Sequence, residues 1–135
     1  ENFDVALTIG ESINEFNKDL IYLVLPLSEM EKAAQQLNLK YACEIFADRN
    51  YQDNGQLISR SNPNAMVENF KTASENILEM LHDSSIKCLS GKKIKCQIDS
   101  ICIHGDGLEA VSIAKELKKV LIENNIQLVN LDKLN

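Results

Sequence analysis

Two positions in this chain set a titratable side chain at the end of an apolar run. Asp48, with Arg49 beside it, follows Tyr41–Ala47, and His104 closes Asp99–His104. A carboxylate and an imidazole that converge on one mouth can orient water and shuttle a proton near neutral pH, because histidine titrates there. Arg49 or Arg60 would hold a carboxylate through two parallel hydrogen bonds, for which lysine is a poorer substitute. Glu44 lies deeper in the first run and would orient the others. Gly105-Asp106 turns the chain away from His104, beside the same mouth. Each residue also has a purely structural reading. Asp48 can serve amides of its own loop between Tyr51 and Gly55, and His104 can bury against Cys102. Asp106 with Glu109 reads as a capping box worth about 1 kcal/mol to a helix.

The elements that must position these groups are legible from period and punctuation. Side chains alternate along a strand, so Cys43, Ile45 and Ala47 share one face and Glu44, Phe46 and Asp48 the other. Two carboxylates on one face are costly to bury, so that face should border water or a ligand. Asp48 and Arg49, being adjacent, should point apart. In the second strand Ser100, Cys102 and His104 fall together, opposite Ile101 and Ile103. Between the two strands lies a polar loop from Arg49 to about Asn62, with a turn at Asp53-Asn54-Gly55. Loops this long inside compact domains are uncommon and often functional.

The rest of the chain alternates helix and strand. Phe3, Ala6, Leu7, Gly10, Ile13 and Phe16 follow helical spacing to Asn17, although Gly10 weakens a helix by about 1 kcal/mol relative to Ala. Leu20–Leu25 reads as a buried strand stopped by Pro26. Ser28 and Glu31 form a capping box for a short helix to about Leu37. Asn62 as N-cap and Pro63 at the first helical position predict a helix to about His82, with a stripe of Met66, Phe70, Ala73, Ile77 and Leu81. His82 suits a helix C-terminus better than a ligand role. Ile86–Ile98 reads as a hairpin around Gly91-Lys92, which lacks the upstream glycine of a phosphate loop. A helix with Ala110, Val111, Ala114, Leu117 and Leu121 on its stripe follows, then a final strand at Ile126–Val129. This order implies one α/β domain with a parallel sheet and right-handed crossovers, in which binding groups gather at the carboxyl ends of strands.

At 135 residues the chain is one domain by size. Its net charge of −6 argues against nucleic acid and an anionic membrane surface as partners. No apolar run reaches the roughly 18 residues of a membrane span, and no secretory signal is visible. The first residue is Glu1 rather than Met, so we expect the start to be trimmed, processed or left out. The four cysteines form no C-x-x-C pair, so we expect reduced thiols, no zinc and a cytoplasmic setting.

Two blocks carry a family resemblance. EIFADRNYQDNGQLISRSNPNA (44–65) and DSICIHGD (99–106) resemble, in the same order, two blocks of the LamB/YcsF family. The similarity extends over nearly the whole chain. Asn64 stands where the family usually has glycine, and Gly107-Leu108 replaces a polar-proline step. The resemblance implies the A subunit of a bacterial 5-oxoprolinase, which opens 5-oxoproline to glutamate together with B and C subunits and ATP, the nucleotide acting through the assembled complex. It also implies an irregular β/α barrel related to sugar deacetylases. The family's Asp-rich and His-containing amino-terminal blocks are absent here, so the chain resembles the carboxyl-terminal half of such a barrel, with a small hairpin insertion at 86–97. On that footing Asp48 and His104 are the catalytic candidates, and Glu44, Arg49, Arg60, Gly105 and Asp106 line the substrate. The chain alone should be inactive, and a homo-oligomer, a swapped assembly or a missing half should complete it. Two other readings stay open: a binding or assembly piece without chemistry, and a metal-dependent deacetylase. The latter needs an Asp-His-His cluster that His82 and His104 cannot supply alone.

Overall fold

A computed structural model describes residues 2–67 and 69–133. The elements run α1 (Phe3–Asn17), β1 (Tyr22–Val24), α2 (Glu29–Gln36), β2 (Tyr41–Phe46), α3 (Phe70–Asp83), β3 (Ser85–Lys87), β4 (Lys93–Lys95), β5 (Ser100–Cys102) and α4 (Ala110–Glu123), then a 3-10 turn at Leu131–Lys133. β1, β2 and β5 form a parallel sheet with β2 in the middle. Glu44 lies opposite Ser100 and Phe46 opposite Cys102, and beyond the ladder the Ala47 amide still donates to the Cys102 carbonyl at 3.0 Å.

β2 is central because one of its faces is apolar enough to bury completely. Ile45 and Ala47 join the main core with Ile77, Met80, Ile113 and Leu117, under α3 and α4. Cys43 packs with Val24, Ala34 and Leu39 under α2. Fully burying a side chain such as Ile45 stabilises the fold by about 1.5–3 kcal/mol. All four cysteines are free thiols, and burial pushes that of Cys43 up to about 12. Gly10, the awkward residue of α1, has a packing reason. A Cβ there would sit 2.6 Å from Leu37 Cδ1, so the glycine lets α1 lie close against the end of α2. Phe16, in contrast, is 83% exposed and takes no part in the apolar stripe. The Ser28 hydroxyl accepts from the Glu31 amide, as a capping box requires, but Glu31 reaches back to the Leu27 amide rather than to that of Ser28.

Three expected elements are corrected. The helix expected at Asn62-Pro63 begins at Phe70, where the Asn69 side chain accepts from the Lys71 and Thr72 amides at 3.0 Å. Asn62 instead closes a local turn onto the Asn64 amide. Residues 65–67 lie against 48–50, with Val67 N–H donating to the Asp48 carbonyl and Asn50 N–H to that of Ala65. That backbone pairing holds Met66 in extended conformation and excludes it from any helix. The strand expected at Ile126–Val129 is absent, because Asn125 turns left-handed (φ 58°) and the Ile126 amide is drawn back to the Leu121 carbonyl. The stripe of α4 is rotated, with Ile113, Leu117 and Leu121 buried while Val111 is exposed. Replacing Asn69 by Ala should therefore cost about 1 kcal/mol in chemical denaturation, whereas Asn62→Ala should cost less than half as much. Equal losses would return the helix start to Asn62.

β3 and β4 pair antiparallel around Gly91, whose φ of 90° suits glycine. Salt bridges from Lys87 and Lys93 to Glu79, and from Lys93 to Asp83, tie this ribbon to α3. The hydrogen bond from Lys93, aided by His82, lowers the Asp83 carboxyl to about 2. A depressed carboxyl stabilises the fold above its ordinary value and loses that contribution as pH falls toward about 2. Lys93→Met should thus lower the melting temperature at pH 6, and the difference should vanish near the pH where Asp83 protonates. A difference that persists undiminished in strong acid would show that Lys93 acts through packing.

Candidate active site

Because β2 and β5 are parallel, adjacent and in this register, continuing each by two residues sets Asp48 beside His104. Their side chains meet directly. Asp48 Oδ1 lies 2.9 Å from His104 Nδ1, and Asp48 Oδ2 accepts the His104 backbone N–H at 3.0 Å. A carboxylate accepts and does not donate, so Nδ1 carries the hydrogen and the neutral ring keeps its lone pair on Nε2. Nε2 makes no hydrogen bond among the described residues. The ring stacks on Phe46 at 5.3 Å between centroids and 14° between planes. Asp48 is 4% exposed, and its backbone carbonyl is held by Val67 N–H, so the residue is fixed at both side chain and main chain. The His104 side chain keeps 24% of its surface open.

Both residues line a cavity of 560 Å³, together with Arg60, Asp106, Leu108 and Glu109. Arg60 Nη1 lies 3.3 Å from Asp106 Oδ2, across the gap between the long loop and the turn after β5. That guanidinium holds the Asp106 carboxyl below its ordinary value. The expected capping box at the start of α4 is therefore not formed. Asp106 turns outward to Arg60, and Glu109, at the cap position, makes no side-chain cap hydrogen bond.

The other candidates lie elsewhere. Arg49 is buried and donates from Nη2 to the Ile58 carbonyl at 2.6 Å, pinning the long loop, while its Nε has no partner among the described residues. It lines a separate cavity of 380 Å³ with Asn69, Thr72 and Lys87. Glu44 lies deeper, beneath the Phe46–Cys102 pair that underlies the site, and accepts from the Ser100 hydroxyl at 3.2 Å. Gly105 links His104 to Asp106 with open space where a Cβ would project, and it does not line the cavity. His82 is at the exposed end of α3, bonded to Asp83. The described residues hold no group of three His, Cys, Asp or Glu side chains placed to share a metal ion. No helix among them is long and apolar enough to cross a membrane.

Sequence reasoning misses Met66, Val67, Leu108, Glu109 and Ile113 as cavity walls. Helical spacing claims Met66, the expected helix takes in Val67, and capping logic claims Glu109. Only the leucine after two closely spaced glycines, in Gly105-Asp106-Gly107-Leu108, carries a signal of its own.

The model of the LamB/YcsF family matches residues 1–135. The A subunit of a 5-oxoprolinase from Clostridium beijerinckii is 39% identical over 99% of this chain and 52% of its own length. Its counterpart from Thermococcus sibiricus is 38% identical over 97% and 52%. Among solved structures, a lactam utilization protein from Thermus thermophilus superposes with a TM-score of 0.83 at 25% identity, over 95% of this chain and 51% of that one. The chain spans about half the length of the curated relatives it matches.

Proposed function

From its membership of the LamB/YcsF family, to which this chain belongs, we propose that it supplies the acid–base half of a site that hydrolyses the lactam of 5-oxo-L-proline to L-glutamate. On this reading it is the carboxyl-terminal half of a β/α barrel in the A subunit of a 5-oxoprolinase, acting with B and C subunits. The observation that carries the proposal is the Asp48–His104 pair, bonded at 2.9 Å at adjoining strand ends and facing one cavity.

A lactam is a resonance-stabilised amide that water attacks slowly. Nε2 of His104 takes a proton from water as the oxygen bonds to the lactam carbon. When the carbon–nitrogen bond breaks, the imidazolium returns that proton to the departing nitrogen. Asp48 keeps Nδ1 protonated and stabilises the imidazolium while it exists, the role a buried carboxylate plays behind a catalytic histidine. Such proton transfer contributes typically about 10²–10⁴-fold.

ATP is implied by the resemblance, but the described residues do not fit a triphosphate. Lys92 of the Gly91-Lys92 turn is spent on the Asp53 carbonyl, and the Asp48 cavity sets one arginine among three carboxylates. We therefore place nucleotide binding in another part of the assembly.

The test is glutamate release from 5-oxoproline by the protein carrying this chain, combined with its partner subunits and ATP. Activity that survives loss of both Asp48 and His104, with assembly intact, would leave the chain a binding or assembly piece.

A further inference from the structure

We propose that Arg60 is the carboxylate-recognising residue of the Asp48–His104 cavity, and that Asp106 is its resting partner, displaced when a substrate carboxylate enters. This rests on the lactam-hydrolysis reading and adds to it how the substrate is selected.

Four observations carry it. Among the described residues lining the cavity, Arg60 is the one permanent cation, against Asp48, Asp106 and Glu109. Arg60 is therefore the fixed positive charge that an anionic ligand meets against those carboxylates. Second, Arg60 already holds a carboxylate, but with half its fork. Nη1 meets Asp106 Oδ2 at 3.3 Å, and the Arg60 side chain makes no other hydrogen bond among the described residues. A free carboxylate that takes two parallel N–H groups forms the stronger pair, so exchange runs toward the ligand. Third, the resting bridge is cheap to open. The two side chains are 52% and 68% exposed, and bridges of that kind contribute little. Fourth, Asp106 has somewhere to go. At Gly105 and Gly107, which flank it, nothing lies within 4 Å of where a Cβ would project, so the turn is unpacked on both sides.

Arg49 could not take this role, because its guanidinium is buried and bonded to the Ile58 carbonyl on the other cavity.

The experiment is calorimetric titration of the protein carrying this chain, without nucleotide, using 5-oxo-L-proline and 5-oxo-L-prolinamide as probes. The amide keeps the lactam and removes the charge. Wild type should prefer the acid. Arg60→Gln should weaken the acid roughly 10- to 100-fold and leave the amide unchanged, with Arg60→Lys in between. Asp106→Asn should tighten the acid about two- to fivefold, since it removes a competing surface pair. Equal affinity of acid and amide in wild type, the absence of acid binding, or weaker acid binding in Asp106→Asn would overturn the proposal. Asp48→Asn separates the two readings. It should leave the acid-over-amide preference intact, so a lost preference there overturns the assignment to Arg60, whereas retained turnover in Asp48→Asn overturns the catalytic assignment alone.

Discussion

Asp48→Asn should lower turnover of the assembled protein by at least about a hundredfold while changing its melting temperature little. Asparagine keeps an oxygen to accept from the His104 backbone amide. Its amino group then faces Nδ1, which can accept only if the ring moves its hydrogen to Nε2. The geometry survives, but the nitrogen facing the cavity no longer takes a proton. Asp48→Ala is a different experiment. It leaves the His104 backbone N–H and Nδ1–H without the partner they now have at 3.0 and 2.9 Å. That loss should cost about 1–3 kcal/mol. His104→Gln should lower turnover at least as far as Asp48→Asn, because glutamine has no titratable proton. The decisive comparison is specific activity against melting temperature across the three variants. Early melting with full specific activity in the folded fraction would end the catalytic assignment and leave the pair as a strand-end fastening.

Tyr51→Ala should destabilise the fold by about 3–5 kcal/mol. That is a large share of the roughly 5–15 kcal/mol typical of a domain. Tyr51 is buried in the main core, and its hydroxyl oxygen accepts the Phe46 backbone N–H at 2.7 Å. Burial raises the phenol far above its ordinary value, so the group stays neutral across the accessible range. The bond matters for the site because it fixes the last residue of β2, whose ring stacks on His104 and whose chain leads to Asp48. Tyr51→Phe isolates it. That variant keeps the packing and orphans the Phe46 amide, for an expected loss of about 1–3 kcal/mol in urea denaturation. If Tyr51→Phe is as stable as wild type, the hydroxyl contributes nothing and the loop is held by its backbone bonds alone.

The pattern of residues was enough, by itself, to establish the two site strands and which side chains share a face. Alternation has a period of two and admits no other assignment once 41–46 and 100–102 are strands. It also established the helices around Ala6, Ala33 and Ile77, and through the FADRNY and SICIHGD blocks the family. Capping and turn choices were legible only as alternatives. Asn62 and Asn69 both satisfy the local rule for a helix start, and Asp106 satisfies the rule for a cap. Local bonds of this kind differ by about 1 kcal/mol, so longer-range contacts decide among them. The pairing of 48–50 with 65–67 excluded Asn62, and Arg60, far away in the chain, drew off Asp106. The same holds for the two arginines. Alternation turns Arg49 away from Asp48, but only the tertiary structure buries it on the Ile58 carbonyl and brings Arg60 to the cavity. Above all, only the tertiary structure set β5 next to β2 in the register that joins Asp48 to His104, because strand order is chosen by which apolar faces the helices can cover together.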